Sequence, residues 1–205
     1  MTFERVLHWL PIAALIAILI TARVRAWMLR LRGQRVVVID WHRPLAEVLY
    51  DTLLLAGLLC WLYFLIAETW PRLHTPIPAW LTEKIVTATP VRIVGAAMVL
   101  AGPMLFAASL RSFANSWRIG IDRAQPPPLV TAGVFSWTRN PIYTAFDLVI
   151  MGAFLIHGRV IFLFLGAALV LLIHGVVLRE ERFLDTQFGD VFHDYCQRVR
   201  RYGLL

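Results

Sequence analysis

Two short polar clusters carry residue types suited to holding a charged small molecule. The first is Arg139-Asn140-Pro141-Ile142-Tyr143 and the second is Arg179-Glu180-Glu181-Arg182. Arg139 presents a planar guanidinium whose fork matches a carboxylate in two-pronged geometry. Glu180 and Glu181 suit an ammonium or a ribose hydroxyl, and the rings of Trp117 and Tyr143 suit a cation face-on. Asp147 follows Tyr143 by one helical repeat, so the two are expected on one face, the candidate pocket wall. Taken singly, each motif has a plainer reading: an arginine before a proline-started helix is a topological anchor, and Glu-Glu between arginines is a solvated helix face. Only their joint placement favours chemistry.

That placement depends on the elements between them. Residues 141–178 form one apolar block, roughly 38 residues long and about twice what one crossing of a ~30 Å hydrocarbon core needs. The block is therefore predicted to go out and come back as two helices of roughly 17 residues each, turning at His157-Gly158-Arg159. Such a hairpin returns Arg139, Tyr143, Glu180 and Glu181 to one interface. Arginine for a carboxylate, glutamate for an ammonium and an aromatic ring for a sulfonium are together what S-adenosylmethionine needs.

Composition agrees with a membrane protein. Hydrophobic residues make up 59% of the 205 and charged residues only 16%, with a mean hydropathy of +0.67, which is too apolar for a soluble domain of this length. The formal charge of +7 resides almost wholly in arginines between apolar runs, with Lys84 the sole lysine. Membrane orientation accounts for them better than nucleic acid does. Cys60 and Cys196 are expected at different depths and therefore as free thiols.

The chain reads as a single all-α integral membrane domain over residues 1–205, with about five transmembrane helices, a C-terminal hairpin and a cytosolic amphipathic tail helix. Residues 1–110 hold three spans, at 7–24, 45–67 and 91–110, the last with Pro103 as an expected kink. The first span is read as a true crossing rather than a cleaved signal, because Arg23, Arg25, Arg30, Arg32 and Arg35 follow it. Val36 to Ile39 reads as interfacial, and the proline-punctuated loop after span two, with Pro71, Pro76, Trp70 and Trp80, as a headgroup-layer segment. Residues 111–205 hold the cofactor-binding loop with its extended Pro126-Pro127-Pro128, then the hairpin and the tail. In the tail, Phe183, Leu184, Phe188, Val191 or Phe192, and Tyr195 share one side at helical spacing, so a helix lying on the membrane surface is expected from residue 179 onward.

Arginines at 23–43, 111–139 and 179–201 fall on one side of these spans, against Arg5, Arg72, Lys84, Arg92 and Arg159 on the other. The positive-inside rule then puts the N-terminus outside and the C-terminus and both motifs on the cytosolic face. Arg111, Arg118 and Asp51 near that face could contact the acceptor, but read first as topogenic or ion-pairing groups; Arg123 counts only toward the arginine-rich side. His174, alone in an apolar span, reads as a hydrogen-bonded interhelical residue, since no metal-ligand spacing surrounds it. No glycine-rich phosphate loop, Ser-His-Asp pattern or zinc motif is visible in the sequence.

The ordered motifs Leu129-Val130-Thr131-x-Gly133-x-Phe135, Arg139-Asn140-Pro141-x-Tyr143, Glu180-Glu181-x-x-Leu184-x-x-x-Phe188-Gly189, Tyr195 and the arginines from Arg198 to Arg201 resemble the isoprenylcysteine carboxyl methyltransferase and phospholipid methyltransferase superfamily. The resemblance covers residues 115–201. It implies a membrane enzyme dependent on S-adenosylmethionine, with Arg139, Pro141, Tyr143, Glu180 and Glu181 around the cofactor, to which the residue types themselves add Trp117 and Asn140 as candidates. It also implies a lipophilic or isoprenylcysteine-like methyl acceptor drawn from the bilayer, and neither a metal nor nucleic acid as a partner. Arg139, Asp147 and Glu181 are the candidate catalytic groups, the two carboxylates as bases where the acceptor needs deprotonation. Asn140 stands where the family usually has His, which excludes a histidine base there, and Ala145 stands where Gly is common. Two other readings stay open: an NADPH-dependent sterol or enone reductase of similar architecture, which lacks the Glu-Glu pair, and a small non-enzymatic membrane protein.

Overall fold

Each long apolar run of the sequence becomes a helix, and proline or glycine sets most of the ends. The computed structural model describes residues 3–34, 36–37, 43–70, 73, 77–118, 120 and 127–203. Its helices are α1 (Phe3–Leu31), α2 (Leu45–Thr69), α3 (Thr89–Ser112), α4 (Pro141–His157), α5 (Val160–Phe188) and α6 (Asp190–Arg198). Short 3₁₀ turns lie at Ala79–Thr82, Ala114–Ser116 and Gly133–Ser136, and no strand occurs among the described residues. Helices α1, α2, α3 and α5 are long and apolar enough to cross a membrane, and α4 is a shorter apolar helix of 17 residues. At ~1.5 Å per residue α4 still extends ~25 Å. The all-α membrane architecture expected from the sequence is therefore found.

The hairpin forms as expected. Pro141 opens α4 at its first turn, and Gly158 ends it in a left-handed conformation at φ +69°. The far end of the hairpin differs. Instead of stopping near Leu178 and giving way to a separate tail helix, α5 runs through Arg179, Glu180, Glu181 and Arg182 to Phe188. Those four residues are good helix formers, and no breaker comes before Gly189, which sits at φ +47°. The tail is then only the nine-residue α6, with Phe192 and Tyr195 buried and Val191 exposed. Arg35, Val38, Ile39, Pro71, Arg72, Pro76, Arg123 and Pro126, which the sequence reading used, lie outside the described residues.

Packing is tightest between α3 and α4. A side-chain carbon added at Gly95 would lie 2.8 Å from the carbonyl oxygen of Gly152, and one added at Gly102 would lie 2.8 Å from that of Ala145. The two backbones meet through small residues, the usual means of close approach between apolar helices in lipid. Helix α2 is looser. It buries Trp61 and Leu65, is held to α5 by the Tyr50 hydroxyl donating to the Leu172 carbonyl at 2.6 Å, and leaves much of its apolar surface outward.

Candidate functional site

Where α4 begins and the last turns of α5 pass it, one carboxylate gathers four donors. Glu181 Oε1 accepts from Arg139 Nε at 3.1 Å and from Asn140 Nδ2 at 2.9 Å. Its Oε2 accepts from Arg201 Nε at 2.8 Å, with Arg201 Nη2 at 2.7 Å. The side chains of Arg139 and Glu181 are 11% and 10% exposed, so this is a nearly desolvated ion pair. Asn140 occupies the N-cap position of α4, yet its side chain makes no cap hydrogen bond and crosslinks to Glu181 instead.

The tail completes the arrangement. After α6 the chain returns to the start of α4: the Arg139 amide donates to the Arg200 carbonyl at 3.0 Å, and the Thr138 hydroxyl to the Arg201 carbonyl at 2.8 Å. Arg139 Nη1 donates to the carbonyls of Cys196 and Val199, both at 3.2 Å. Arg139 Nη2 makes no hydrogen bond among the described residues. The Tyr195 hydroxyl donates to the Phe135 carbonyl at 2.6 Å, tying α6 to the loop before α4. Burial pushes the Tyr195 phenol up to about 12 and raises the Cys196 thiol, while the Glu181 carboxylate holds the Arg201 guanidinium above its ordinary value.

Beside this network Glu180 accepts a hydrogen bond from the Tyr143 hydroxyl at 2.5 Å. Next to it Arg179 Nη2 reaches Asp51 Oδ1 at 2.6 Å, and Arg43 Nη1 reaches Asp51 Oδ2 at 2.6 Å. The ion-pair reading of Asp51 therefore holds.

Of these groups, Arg139, Asn140, Tyr143, Glu180, Glu181 and Tyr195 border one cavity of about 740 Å³, which Arg201, Arg179 and Asp51 do not line. Its polar end is formed by Trp117, Arg139, Asn140, Pro141, Tyr143, Glu180 and Glu181, so the candidate cofactor residues are brought together. Arg118 borders it too. The other end is apolar, walled by Ile12, Ile16 and Leu19 of α1, Leu58 and Leu59 of α2, and Phe146 and Ile150 of α4. The volume is in the range of small-molecule sites.

One candidate falls elsewhere. Asp147 does not border the cavity; it lies within electrostatic reach of Tyr202, and its Oδ1 is buried without a hydrogen-bond partner. The cavity face of α4 is Ile142, Tyr143, Phe146, Val149 and Ile150. Tyr143 stands at the edge of that face, and four further residues carry Asp147 ~40° past it. His174 is hydrogen-bonded as expected, but to the tail rather than to another span: its Nδ1 lies 2.6 Å from the Tyr202 hydroxyl. The sequence reading missed Arg201 as a partner of Glu181. The arginine cluster was visible, but nothing in it marked which member the tail would deliver.

In electrostatic terms Glu181 is shared by two guanidiniums, Arg139 on the cavity wall and Arg201 off it, which leaves one net positive charge in that network. Glu180, bonded among the described residues by a neutral phenol, is a separate acceptor facing the same space. A carboxylate and an ammonium on one ligand fit these two features side by side. A comparison with curated proteins finds no match for the chain. Residues 91–191, from the first turn of α3 into α6, match the phospholipid methyltransferase family.

Proposed function

Because residues 91–191 form a domain of the phospholipid methyltransferase family, part of the isoprenylcysteine carboxyl methyltransferase-like superfamily and a family of membrane methyltransferases, we propose that this chain uses S-adenosylmethionine to methylate a lipophilic acceptor. The observation that carries the reading is the two-ended cavity, with paired positive and negative groups at one end and an apolar wall open to α1 and α2 at the other. Arg139, which borders the cavity while Arg201 balances Glu181 from outside it, would hold the carboxylate of the cofactor's amino-acid part. Glu180 would hold its ammonium or a ribose hydroxyl, and Trp117 and Tyr143 would face the sulfonium. Asn140 serves as a donor that fixes Glu181, a task needing one N–H and no titration, so its replacement of the family's histidine leaves the site intact.

S-adenosylmethionine, when bound, supplies an electrophilic methyl group: the acceptor lone pair forms the new bond to carbon while the S–CH₃ electron pair returns to sulfur. The protein's part is to align donor and acceptor in line and to keep water out, which is where most of the acceleration in such a transfer arises. Among the described residues no carboxylate on the cavity is left over as a base for the acceptor, since Glu180 is assigned to the cofactor. Glu181 is taken up by two arginines and an amide, and Asp147 lies off the cavity. An acceptor that is already anionic, a carboxylate on an apolar chain such as an isoprenylcysteine, therefore suits this site better than an amine. Orientation with the site on the cytosolic side is part of the proposal, resting on the arginine distribution.

The test is calorimetric titration of the detergent-purified protein with S-adenosylhomocysteine, in parallel with NADPH. The wild type is expected to bind the former saturably and the latter not at all. Glu180→Gln and Tyr143→Phe should each weaken binding about 10-fold, a loss of one charge-assisted contact. Labelled methyl transfer to a prenylated cysteine and to phosphatidylethanolamine in lipid nanodiscs then separates carboxylate from amine acceptors. Binding of NADPH alone would move the assignment to a reductase, and a folded protein that binds neither would sink the enzymatic reading.

A further inference from the structure

At the end of the bundle opposite Arg139 and Glu181, three helix ends converge on a cluster that the methyl-transfer reading does not use. His8 lies in the first turns of α1, Glu68 in the last turn of α2, and His157 closes α4. One ligand-type atom from each falls within 4.8 Å of the other two. His157 is 2% exposed, and neither of its ring nitrogens has a hydrogen-bond partner. Its ring stacks on Phe162, with centroids 4.8 Å apart at 21°, and lies 5.1 Å from the ring of His8. A buried imidazole must satisfy at least its N–H and its lone pair, and a lone pair with no donor is an acceptor for something else.

We propose that His8, Glu68 and His157 form a divalent transition-metal site of the zinc type. Two imidazoles and one carboxylate are a ligand set suited to Zn²⁺, with a fourth position left open. Tetrahedral ligands at ~2.0–2.1 Å from the metal lie about 3.4 Å from one another, so the trio must close by about 1.4 Å at its widest. His157 is fixed by its stacking, whereas His8 and Glu68 are half-buried and have room to make that movement.

The surroundings support the carboxylate as a ligand. Arg159 Nε lies 2.6 Å from Glu68 Oε1, an ion-pair contact without hydrogen-bond geometry, and the second carboxylate oxygen of Glu68 offers lone pairs for a metal. The other nearby guanidinium, Arg92, is engaged in a two-pronged pair with Glu4 at 2.7 Å and is thereby balanced. The turn carrying His157 is itself tied down: Ile85 and Val86 donate to the Gly158 carbonyl at 2.7 and 3.1 Å, and Val160 donates to the Glu83 carbonyl at 3.1 Å. A metal here would staple α1 and α2 to the hairpin at the end away from the cavity. No sequence motif announces it, because each ligand comes from a different helix end.

The experiment uses the full chain in detergent, with any polyhistidine tag removed, titrated with Zn²⁺ and separately with Co²⁺. One equivalent of Zn²⁺ per chain is expected, together with visible Co²⁺ absorption bands of tetrahedral type that Zn²⁺ displaces. Mg²⁺ is expected to have no effect. His8→Ala and Glu68→Ala should each weaken Zn²⁺ binding more than ~100-fold, since even loss of an outer-shell partner costs 10–100-fold. His8→Asn keeps polar bulk should the alanine variant fail to fold, and His174→Ala, away from the cluster, should bind as the wild type does. Absence of saturable Zn²⁺ binding by the wild type, or an affinity unchanged in the His8 and Glu68 variants, overturns the proposal. Neither outcome bears on methyl transfer, which S-adenosylhomocysteine binding tests separately.

Discussion

The seam between α3 and α4 and the wall made by α1 and α2 are built by opposite rules. Along the seam, Gly95, Gly102 and Gly152 bring the backbones so close that an added side-chain carbon at Gly152 would lie 2.6 Å from the Gly95 carbonyl oxygen. Along the wall, Ile16, Leu19 and Leu59 are 51%, 63% and 58% exposed. Of the most apolar stretch of α1 and of α2, 17% is buried within the protein, against 33% for α3 and 39% for α5. In lipid an exposed leucine carries no penalty, so loose packing is tolerated where tight packing is not required. The polar groups of the site sit on the tight half: Arg139 to Tyr143 at the start of α4, and Glu180 and Glu181 on α5. The apolar part of the cavity borders the loose half. One half is suited to holding a fixed polar ligand, the other to adapting to an acceptor.

The largest effect that tests this division is Glu181→Ala. It strands Arg139, Arg201 and the Asn140 amide around a nearly desolvated position. Breaking a buried pair from one side costs about 3–5 kcal/mol, much of the stability of a domain this size. The variant should unfold at clearly lower temperature in detergent and lose ligand binding as a result of misfolding. Unchanged melting would show that the network is not part of the rigid half. Next comes Gly152→Val, expected to cost about 1–3 kcal/mol or more because backbone, not a flexible tip, blocks the added carbon. Its counterpart is Gly57→Ala in α2, where the new carbon meets only the tips of Leu169 at 3.1 Å and Leu172 at 4.0 Å. Those tips can turn aside, so a change within about 0.5 kcal/mol is expected. Equal costs at Gly152 and Gly57 would erase the contrast.

The tight half was the more legible in the sequence, for reasons visible in single residues. Pro141 and Gly158 mark the hairpin helix ends unambiguously, and the apolar block between the two motifs can return them to one interface only by folding back. The end of α5 was not legible. Charged residues at 179–182 look like an interface boundary, but a helix stops for lack of hydrogen bonds or for a residue that cannot continue it, and Gly189 is the first such residue. Asp147 was misplaced because a shared helix face was taken from spacing alone, when Tyr143 occupies the rim of that face. Arg201 and the trio of His8, Glu68 and His157 were illegible for one common reason: their partners are set by tertiary convergence of distant segments, and no local period encodes that.

The smallest effect falls on the loose half and is a change in substrate handling alone. Leu59 borders the cavity from α2 and is otherwise directed outward. Leu59→Trp adds bulk to the apolar end without meeting fixed backbone, so the melting temperature should stay within about a degree of the wild type, as for other outward substitutions. S-adenosylhomocysteine affinity should also hold, since no contact proposed for the cofactor lies on α1 or α2. The acceptor, however, must share the space that the indole takes. Poorer fit of an apolar chain in such a space is worth about 1–3 kcal/mol, so KM for a prenylated acceptor should rise about 10-fold with kcat little changed. A rise in KM with cofactor affinity intact would locate acceptor binding at the α1–α2 wall. If cofactor affinity fell in parallel, the cavity would be one undivided pocket and the separation between a rigid polar half and an adaptable apolar half would have to be abandoned.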